Sequence, residues 1–104
     1  SPLVIYRESL IKRFEFCYDL TWKFLKQLLI EKYSVEANSP RKVFQECFNQ
    51  RIITEQEAAS CINMIDSRNS TTHMYDQEMA NEISLEIVEY YDVLRNIMQR
   101  ITIN

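Results

Sequence analysis

The residues best suited to chemistry lie in one polar stretch, residues 68–76, which reads Arg-Asn-Ser-Thr-Thr-His-Met-Tyr-Asp. It holds the only histidine of the chain, with an arginine, an asparagine and a tyrosine close by. Amphipathic helical patterns precede and follow it, and side chains at helix ends are free to bind or react because the core does not need them. Composition alone favours a plainer interpretation, in which the stretch is a polar connection between helices.

Arg68 and His73 carry the side chains that phosphodiester chemistry needs. Histidine can move a proton near neutral pH, and arginine can hold a phosphate and stabilise developing charge. A spacing of five residues places the two about 140° apart around a regular helix. They can converge if the helix ends between them, or if two copies meet across a symmetric interface. Asn69 could orient either group, and Tyr75 offers a hydroxyl or a stacking ring.

Each of these residues also has a purely structural interpretation. Arg68, at the end of a helix, can interact favourably with the negative end of the helix dipole. It can also form an ion pair with Glu15 or Asp66, which are therefore candidate supporting residues. Tyr75 can pack as an apolar staple on the next helix. No cluster of aspartate or glutamate with metal-ligand spacing accompanies the histidine, so we expect any catalysis here to use neither a metal ion nor another cofactor.

The composition predicts a single all-α domain over residues 1–104. The chain contains no glycine, where average usage would give roughly seven. Hairpins and left-handed turns depend on glycine, so its absence favours helices joined by other turns. The net charge of −3 provides no broad basic surface for nucleic acid, although a local cleft can be basic on an acidic protein.

Three cysteines, Cys17, Cys47 and Cys61, lack metal-ligand spacing and fall in apolar helical stripes. We interpret them as small core residues in a reducing cytoplasm. The apolar runs are too short to span a bilayer and no signal peptide is visible, so the prediction is a cytoplasmic protein without a membrane segment.

Capping signals predict where the helices begin. Ser1 and Ser39 are good N-cap residues, and each is followed by a proline at the first helical position. Thr54 and Glu57 form a capping box, and Asp76 is a good N-cap for the last helix. Together these signals predict four helices, of which the first runs to about residue 33.

Apolar residues at three- and four-residue steps give the predicted helices a buried face. Phe14, Phe16 and Trp22 in the first helix are interpreted as core or interface residues rather than as a platform for stacking bases. Apolar positions from Ala80 to Ile101 recur at near-heptad spacing, which suits either an intramolecular core or a seam with a second subunit. The predicted fold is an antiparallel helical bundle of the four-helix type.

Four segments, spread over nearly the whole chain, resemble those of a known protein family and occur in the same order. They are residues 11–16 (Ile-Lys-Arg-Phe-Glu-Phe), 18–23 (Tyr-Asp-Leu-Thr-Trp-Lys), 39–41 (Ser-Pro-Arg) and 66–76, which is the polar stretch with the preceding Asp66 and Ser67. Together they resemble the nucleotidyltransferase substrate-binding proteins, a small helical family of the HEPN superfamily that is typically encoded beside a minimal nucleotidyltransferase. Relatives usually have a helix before the Arg-Phe-Glu-Phe segment, so we expect this chain to lack part or all of a first helix.

The resemblance implies an up-and-down helical bundle that forms a homodimer and has a minimal nucleotidyltransferase as its partner. In related pairs the helical protein is a toxin that cuts RNA, and the nucleotidyltransferase is its antitoxin. Arg68 and His73 would then be the RNase pair, with Asn69 in support, and Tyr75 would match the tyrosine that the partner modifies with AMP. The alternative is a non-catalytic subunit that presents a substrate to the nucleotidyltransferase.

Overall fold

Four α-helices account for most of the chain in a computed structural model, which describes residues 1–73 and 77–103. Within those residues the structure has no strand, which confirms the predicted all-α class, and none of the helices is both long and apolar enough to cross a membrane. The helices are α1 (Pro2–Tyr33), α2 (Pro40–Asn49), α3 (Glu55–Ser70) and α4 (Gln77–Ile103), with a short 3₁₀ helix, Thr71–His73, after α3.

The helices begin close to the predicted caps. The Ser39 hydroxyl accepts a hydrogen bond from the backbone N–H of Lys42 at 3.3 Å. At the start of α3, the Thr54 hydroxyl accepts from the backbone of Glu57 at 3.1 Å, and the Glu57 carboxylate accepts from the backbone of Thr54 at 2.9 Å, which confirms the capping box. Ser1 occupies the N-cap position of α1 without a side-chain hydrogen bond. Asp76 lies outside the described residues.

In the described part of the chain, two residues have the left-handed backbone conformation that glycine usually adopts. Ser34 ends α1 with a φ of 55°, and its backbone N–H donates to the carbonyl of Leu29. Arg51, after α2, has a φ of 60°. A left-handed residue with a side chain costs on the order of 1–2 kcal/mol relative to glycine. The chain therefore joins its helices at some energetic cost in a sequence without glycine.

α1 and α4 lie side by side and run in the same direction. Arg7 donates a hydrogen bond to the side-chain oxygen of Asn81 near the two starts, and further along the ring of Phe14 stacks on Tyr90 with centroids 5.9 Å apart. A strict up-and-down order would make the first and fourth helices antiparallel, so the structure departs from that prediction. The reason is the direction of α2, which also runs with α1. Pro40 at its start lies beside Asp19 of α1 and Asn69 at the end of α3. The carbonyl of Ile52, just after its end, accepts from Arg100 near the end of α4.

α3 makes the return instead and runs antiparallel to α4. Glu57 near the start of α3 binds Arg100 near the end of α4, at 2.7 Å between Oε1 and Nη2. Ser67 near the end of α3 donates to Glu86 near the start of α4 at 2.7 Å. Polar contacts at both ends thus hold the register of the two helices.

The core lies between the four helices, and the near-heptad residues of α4 line it. This answers the question that the sequence left open for those positions, because Ala80, Ile83, Ile87, Leu94 and Ile97 are buried within the protomer. The other helices contribute buried residues with no polar side chain: Ile11, Phe14, Leu25 and Leu29 from α1, Val43, Phe44 and Cys47 from α2, and Ala58, Cys61 and Met64 from α3. Burial raises the pKa of the Cys47 and Cys61 thiols to about 12, which suits inert core residues.

The Glu57 carboxylate links the start of α3 to the end of α4 through its ion pair with Arg100. Burial acts to raise its pKa, but hydrogen bonds from Arg100 and from Thr54 more than offset burial and lower the pKa below the ordinary 4.5. A pKa lowered by folding contributes stability that is fully present above the unfolded value and is lost as the pH falls through the folded value.

We expect Glu57→Gln to lower the free energy of unfolding by about 1 kcal/mol at neutral pH, because a charged hydrogen-bond acceptor is replaced by a neutral one. The difference from wild type should shrink as the pH falls from 4.5 through the lower pKa of folded Glu57, because the carboxyl becomes neutral first in the unfolded chain and then in the folded protein. Urea unfolding at several pH values measures both effects. Glu55→Gln, at an exposed position two residues earlier, is the matched control and should change little. If the difference in free energy of unfolding between Glu57→Gln and wild type stayed the same in acid, the stabilising role of the Glu57 carboxylate would be contradicted.

Candidate functional site

The guanidinium of Arg68 forms a polar cluster between the last turn of α3 and the middle of α1. Its Nε and Nη2 donate to the two carboxylate oxygens of Asp19 at 3.4 and 3.3 Å. Its Nη1 lies 3.1 Å from a carboxylate oxygen of Glu15 and donates to the Thr71 hydroxyl at 2.9 Å. One side chain therefore joins α1, α3 and the 3₁₀ helix.

Local spacing on α1 and α3 produces this cluster. Glu15 and Asp19 are four residues apart, so they stand one turn apart on the same face of α1. Thr71 follows Arg68 by three residues, and its hydroxyl donates to the Arg68 carbonyl at 2.6 Å while it accepts from the guanidinium. Burial acts to lower the pKa of Arg68, but the hydrogen bonds and charge of Asp19, together with the charge of Glu15, raise that pKa above its ordinary value. The guanidinium is therefore fully charged.

A cleft of about 410 Å³ opens beside the guanidinium, between α1, the start of α2 and the end of α3. A volume of this size is typical of small-molecule sites. Its lining combines apolar walls with charged and amide groups: Tyr18, Asp19, Trp22, Pro40, Ile65, Arg68, Asn69 and Thr72.

Tyr18 joins this cleft to the core. Its ring packs near Phe14 and Phe44, with centroids 6.1 and 6.2 Å apart, and the residue is almost fully buried. Burial, with a further contribution from the charge of Asp19, raises the pKa of Tyr18 to about 12. Its hydroxyl is therefore neutral at physiological pH.

The predicted site residues divide into those that the structure describes and those that it does not. Arg68 and Asn69 both line the cleft, and Asn69 is exposed. α3 ends at Ser70, between Arg68 and His73, as the sequence allowed. The backbone of His73 ends the 3₁₀ helix, but its side chain lies outside the described part of the chain, and so does the whole of Tyr75.

Of the two acids considered as partners of Arg68, Glu15 contacts it and Asp66 lies elsewhere. Asp66 is exposed and lines a smaller cleft, of about 210 Å³, together with Ser67, Glu82 and Glu86 among others. Among the side chains that the structure describes, which do not include that of His73, no three from histidine, cysteine, aspartate or glutamate are placed to hold one metal ion.

Sequence reasoning did not identify Asp19 and Trp22 as site residues. The available signal was the one-turn spacing of Glu15 and Asp19, since two acids on one helix face suit a shared cation. Phe14, Phe16 and Trp22 also differ from one another in the structure: Phe14 is buried, Phe16 is 68% exposed, and Trp22 is half-buried at the cleft.

Comparison with known proteins places the chain in a family. Residues 3–103 match the model of the family described as nucleotidyltransferase substrate binding protein like. The chain belongs to this family. A crystal structure of a protein from Thermus thermophilus superposes on this member with a TM-score of 0.89 at 29% sequence identity, over 96% of this chain and 82% of the other. No protein with a curated description matches the sequence.

We expect Arg68→Ala in this nucleotidyltransferase substrate-binding family member to lower the free energy of unfolding by about 1–2 kcal/mol, because it leaves two partly buried carboxylates without their cation. Arg95→Ala is the matched control. Arg95 pairs with Asp92 three residues away, and both side chains are at least 60% exposed, so its loss should cost less than about 0.5 kcal/mol. Chemical denaturation of both variants measures the difference, and equal losses would mean that the Arg68 cluster does not stabilise the fold.

Proposed function

We propose that this chain is the partner subunit of a minimal nucleotidyltransferase and the toxin of a HEPN-type toxin–antitoxin pair. In this proposal it is a metal-independent endoribonuclease that acts through Arg68 and His73, with Asn69 in support. Membership of the nucleotidyltransferase substrate-binding family supports the choice of partner. The RNase role rests on the Arg68 cluster and on the residue types that follow it.

The single observation that carries the proposal is an oriented arginine at a cleft, five residues before the only histidine. Glu15 and Asp19 hold the guanidinium in one orientation, which is the preorganisation that transition-state stabilisation requires. The end of α3 at Ser70 removes the constraint that would keep Arg68 and His73 on different faces of a regular helix.

The proposed reaction is attack by a ribose 2′ hydroxyl on the adjacent phosphodiester. His73 takes the hydroxyl proton while the 2′ oxygen bonds to phosphorus. The bond from phosphorus to the 5′ oxygen breaks, and that oxygen receives a proton from a second His73, supplied by the other copy in a homodimer. Arg68 stabilises the charge that develops on the phosphoryl oxygens. The products are a 2′,3′-cyclic phosphate and a 5′ hydroxyl, so neither water nor an oxidant is consumed.

A homodimer is part of the proposal because it would bring two copies of the motif to one cleft. Large apolar side chains on the outer sides of α1 and α4 support such an interface. Phe16, Leu20, Leu85 and Val88 are each more than half exposed in the protomer. Exposed apolar patches of this kind mark interaction sites in soluble proteins.

Tyr75 is the proposed regulatory residue. The partner would transfer AMP from ATP to its phenolic oxygen, with pyrophosphate as the leaving group and loss of the phenolic proton. The added bulk and negative charge, two residues from His73, would keep the phosphodiester of an RNA substrate away from Arg68.

We expect the full-length protein to cleave single-stranded RNA in the presence of a chelator, and Arg68→Ala and His73→Ala each to reduce the rate at least about a hundredfold. Gel analysis of end-labelled RNA gives the rates and identifies the cyclic phosphate. Arg95→Ala, which removes an arginine outside the cleft, is the control and should cleave normally.

Unchanged cleavage by His73→Ala would contradict the RNase assignment. Folding of each variant is checked by circular dichroism, since Arg68 also stabilises the protein. A monomer by light scattering at tens of micromolar, with full activity, would contradict the composite site.

One observation favours the second candidate, a non-catalytic substrate-binding subunit. Three of the five N–H groups of Arg68 already donate to Asp19 and Thr71, and Glu15 lies beside Nη1. A phosphate would have to compete with two carboxylates for this cation. The cluster would then be a structural support at a docking surface for the nucleotidyltransferase.

The toxin and the binding-subunit proposals predict different effects of the purified nucleotidyltransferase on this protein. With the neighbouring nucleotidyltransferase and ATP, we expect wild type to gain the mass of one AMP group and to lose RNA cleavage, and Tyr75→Phe to retain cleavage under the same conditions. Intact-protein mass spectrometry beside the RNA assay measures both. A stable complex without cleavage by either form, before or after ATP, would favour the binding subunit.

A further inference from the structure

Thr71 carries a buried hydroxyl at the point where α3 ends and the 3₁₀ helix begins. The residue is only 3% exposed, although threonine is mostly found at protein surfaces. A buried hydroxyl needs hydrogen-bond partners, because burial without them costs free energy. Both described partners of the Thr71 hydroxyl belong to one residue, Arg68. The hydroxyl is therefore engaged with the arginine of the cleft.

The Thr71 hydroxyl contacts the two ends of Arg68. It accepts from Nη1 of the guanidinium at 2.9 Å and donates to the backbone carbonyl of Arg68 at 2.6 Å. A hydroxyl has one proton and two lone pairs, so it can make both hydrogen bonds at once. These bonds close a ring that runs from the backbone of Arg68 along its side chain and back through Thr71. The ring restricts the rotation of the guanidinium.

The contact with Thr71 differs from the other contacts of the guanidinium in the segment that it reaches. Asp19 and Glu15, which bind the same guanidinium, both lie in the middle of α1. Thr71 is the first residue of the 3₁₀ helix Thr71–His73, and His73 follows it within the same helix. Three residues complete one turn of a 3₁₀ helix, so the backbone at Thr71 sets the direction of the backbone at His73. The Thr71 hydroxyl thus connects the guanidinium to the segment that carries the histidine.

We propose that Thr71 is a positioning residue of the RNase site, whose hydroxyl holds the guanidinium of Arg68 and the 3₁₀ helix of His73 in one relative position. The inference rests on the proposed function, because the role that it assigns to Thr71 is in the reaction of Arg68 and His73. Thr71 takes no part in bond making or breaking. It keeps the arginine and the histidine aligned for the same phosphodiester, and misalignment by about 1 Å can slow an enzyme on the order of a hundredfold.

Thr71→Val removes the hydroxyl and keeps nearly the same side-chain shape. We expect kcat for RNA cleavage to fall at least about tenfold and KM to change less than about twofold, because the arginine that binds the phosphate is still present. Thr71→Ser keeps the hydroxyl and should stay within about threefold of the wild-type kcat. Initial rates over a range of RNA concentrations, with a chelator present, give both constants.

Thr21→Val is the matched control, because it removes a hydroxyl from an equally buried threonine. Thr21 is 2% exposed, belongs to α1 and lines a different groove, with Cys17 and Tyr91 among others. We expect its kcat to equal that of wild type. Equal cleavage by wild type and Thr71→Val would overturn the inference and leave the RNase proposal standing. Equal losses of kcat in Thr71→Val and Thr21→Val would also overturn it, because a weakened fold would then explain both.

Hydrogen exchange tests the same connection without any need for cleavage. We expect Thr71→Val and Arg68→Ala each to lower the protection factors of the backbone amides of residues 71–73 at least about fivefold, because each variant removes one end of the contact. Thr21→Val should leave them unchanged. Amides in the middle of α2 correct for changes in global stability.

The exchange and cleavage results together separate the two proposals. Lower protection in Thr71→Val and Arg68→Ala, in a protein that cleaves no RNA, would support the connection through Thr71 and reject the nuclease. Unchanged protection of residues 71–73 in Thr71→Val would overturn the positioning role, whatever the cleavage assay shows.

Discussion

The contact between Arg68 and the two acids of α1 is the interaction on which the rest of the site depends. It joins the end of α3 to the middle of α1 and reaches the 3₁₀ helix through Thr71. A partly buried cation with two carboxylate partners is costly to break, because each unpaired charge would then have to be solvated at a half-buried position. The contact therefore sets the position of Arg68 and Thr71 relative to the bundle.

The same contact sets the chemical character of the cleft. Asp19 and Glu15 orient the guanidinium, and Asp19 accepts from two of its five N–H groups while Thr71 accepts from a third, so the arginine is well placed but only partly available to a ligand. An anionic ligand gains affinity only if it displaces or shares a carboxylate, whereas a ligand with hydrogen-bond donors meets an acceptor that is already in place. The two acids that position the arginine are thus also the groups with which an anion would compete for it.

Local features of the fold could be predicted from the sequence, whereas contacts between distant residues could not. Caps at Ser39 and Thr54 could be predicted because each depends on hydrogen bonds within three residues. The direction of α4 relative to α1 could not be predicted, because it depends on the direction in which α2 packs against α1 and α3. The partnership of Arg68 with Asp19 was also missed, since those residues are 49 positions apart and only packing brings them together.

Short-range physical chemistry in the sequence determined the all-α class, the helix starts and the polar stretch between α3 and α4. The absence of glycine, the prolines after serine and the apolar periodicity act over a few residues and need no knowledge of the rest of the chain. The tertiary structure alone decided that α4 lines the core, that Asp19 rather than Asp66 holds Arg68, and that Trp22 borders a cleft. These outcomes depend on which helix faces meet, and that choice is made by packing the whole apolar surface at once.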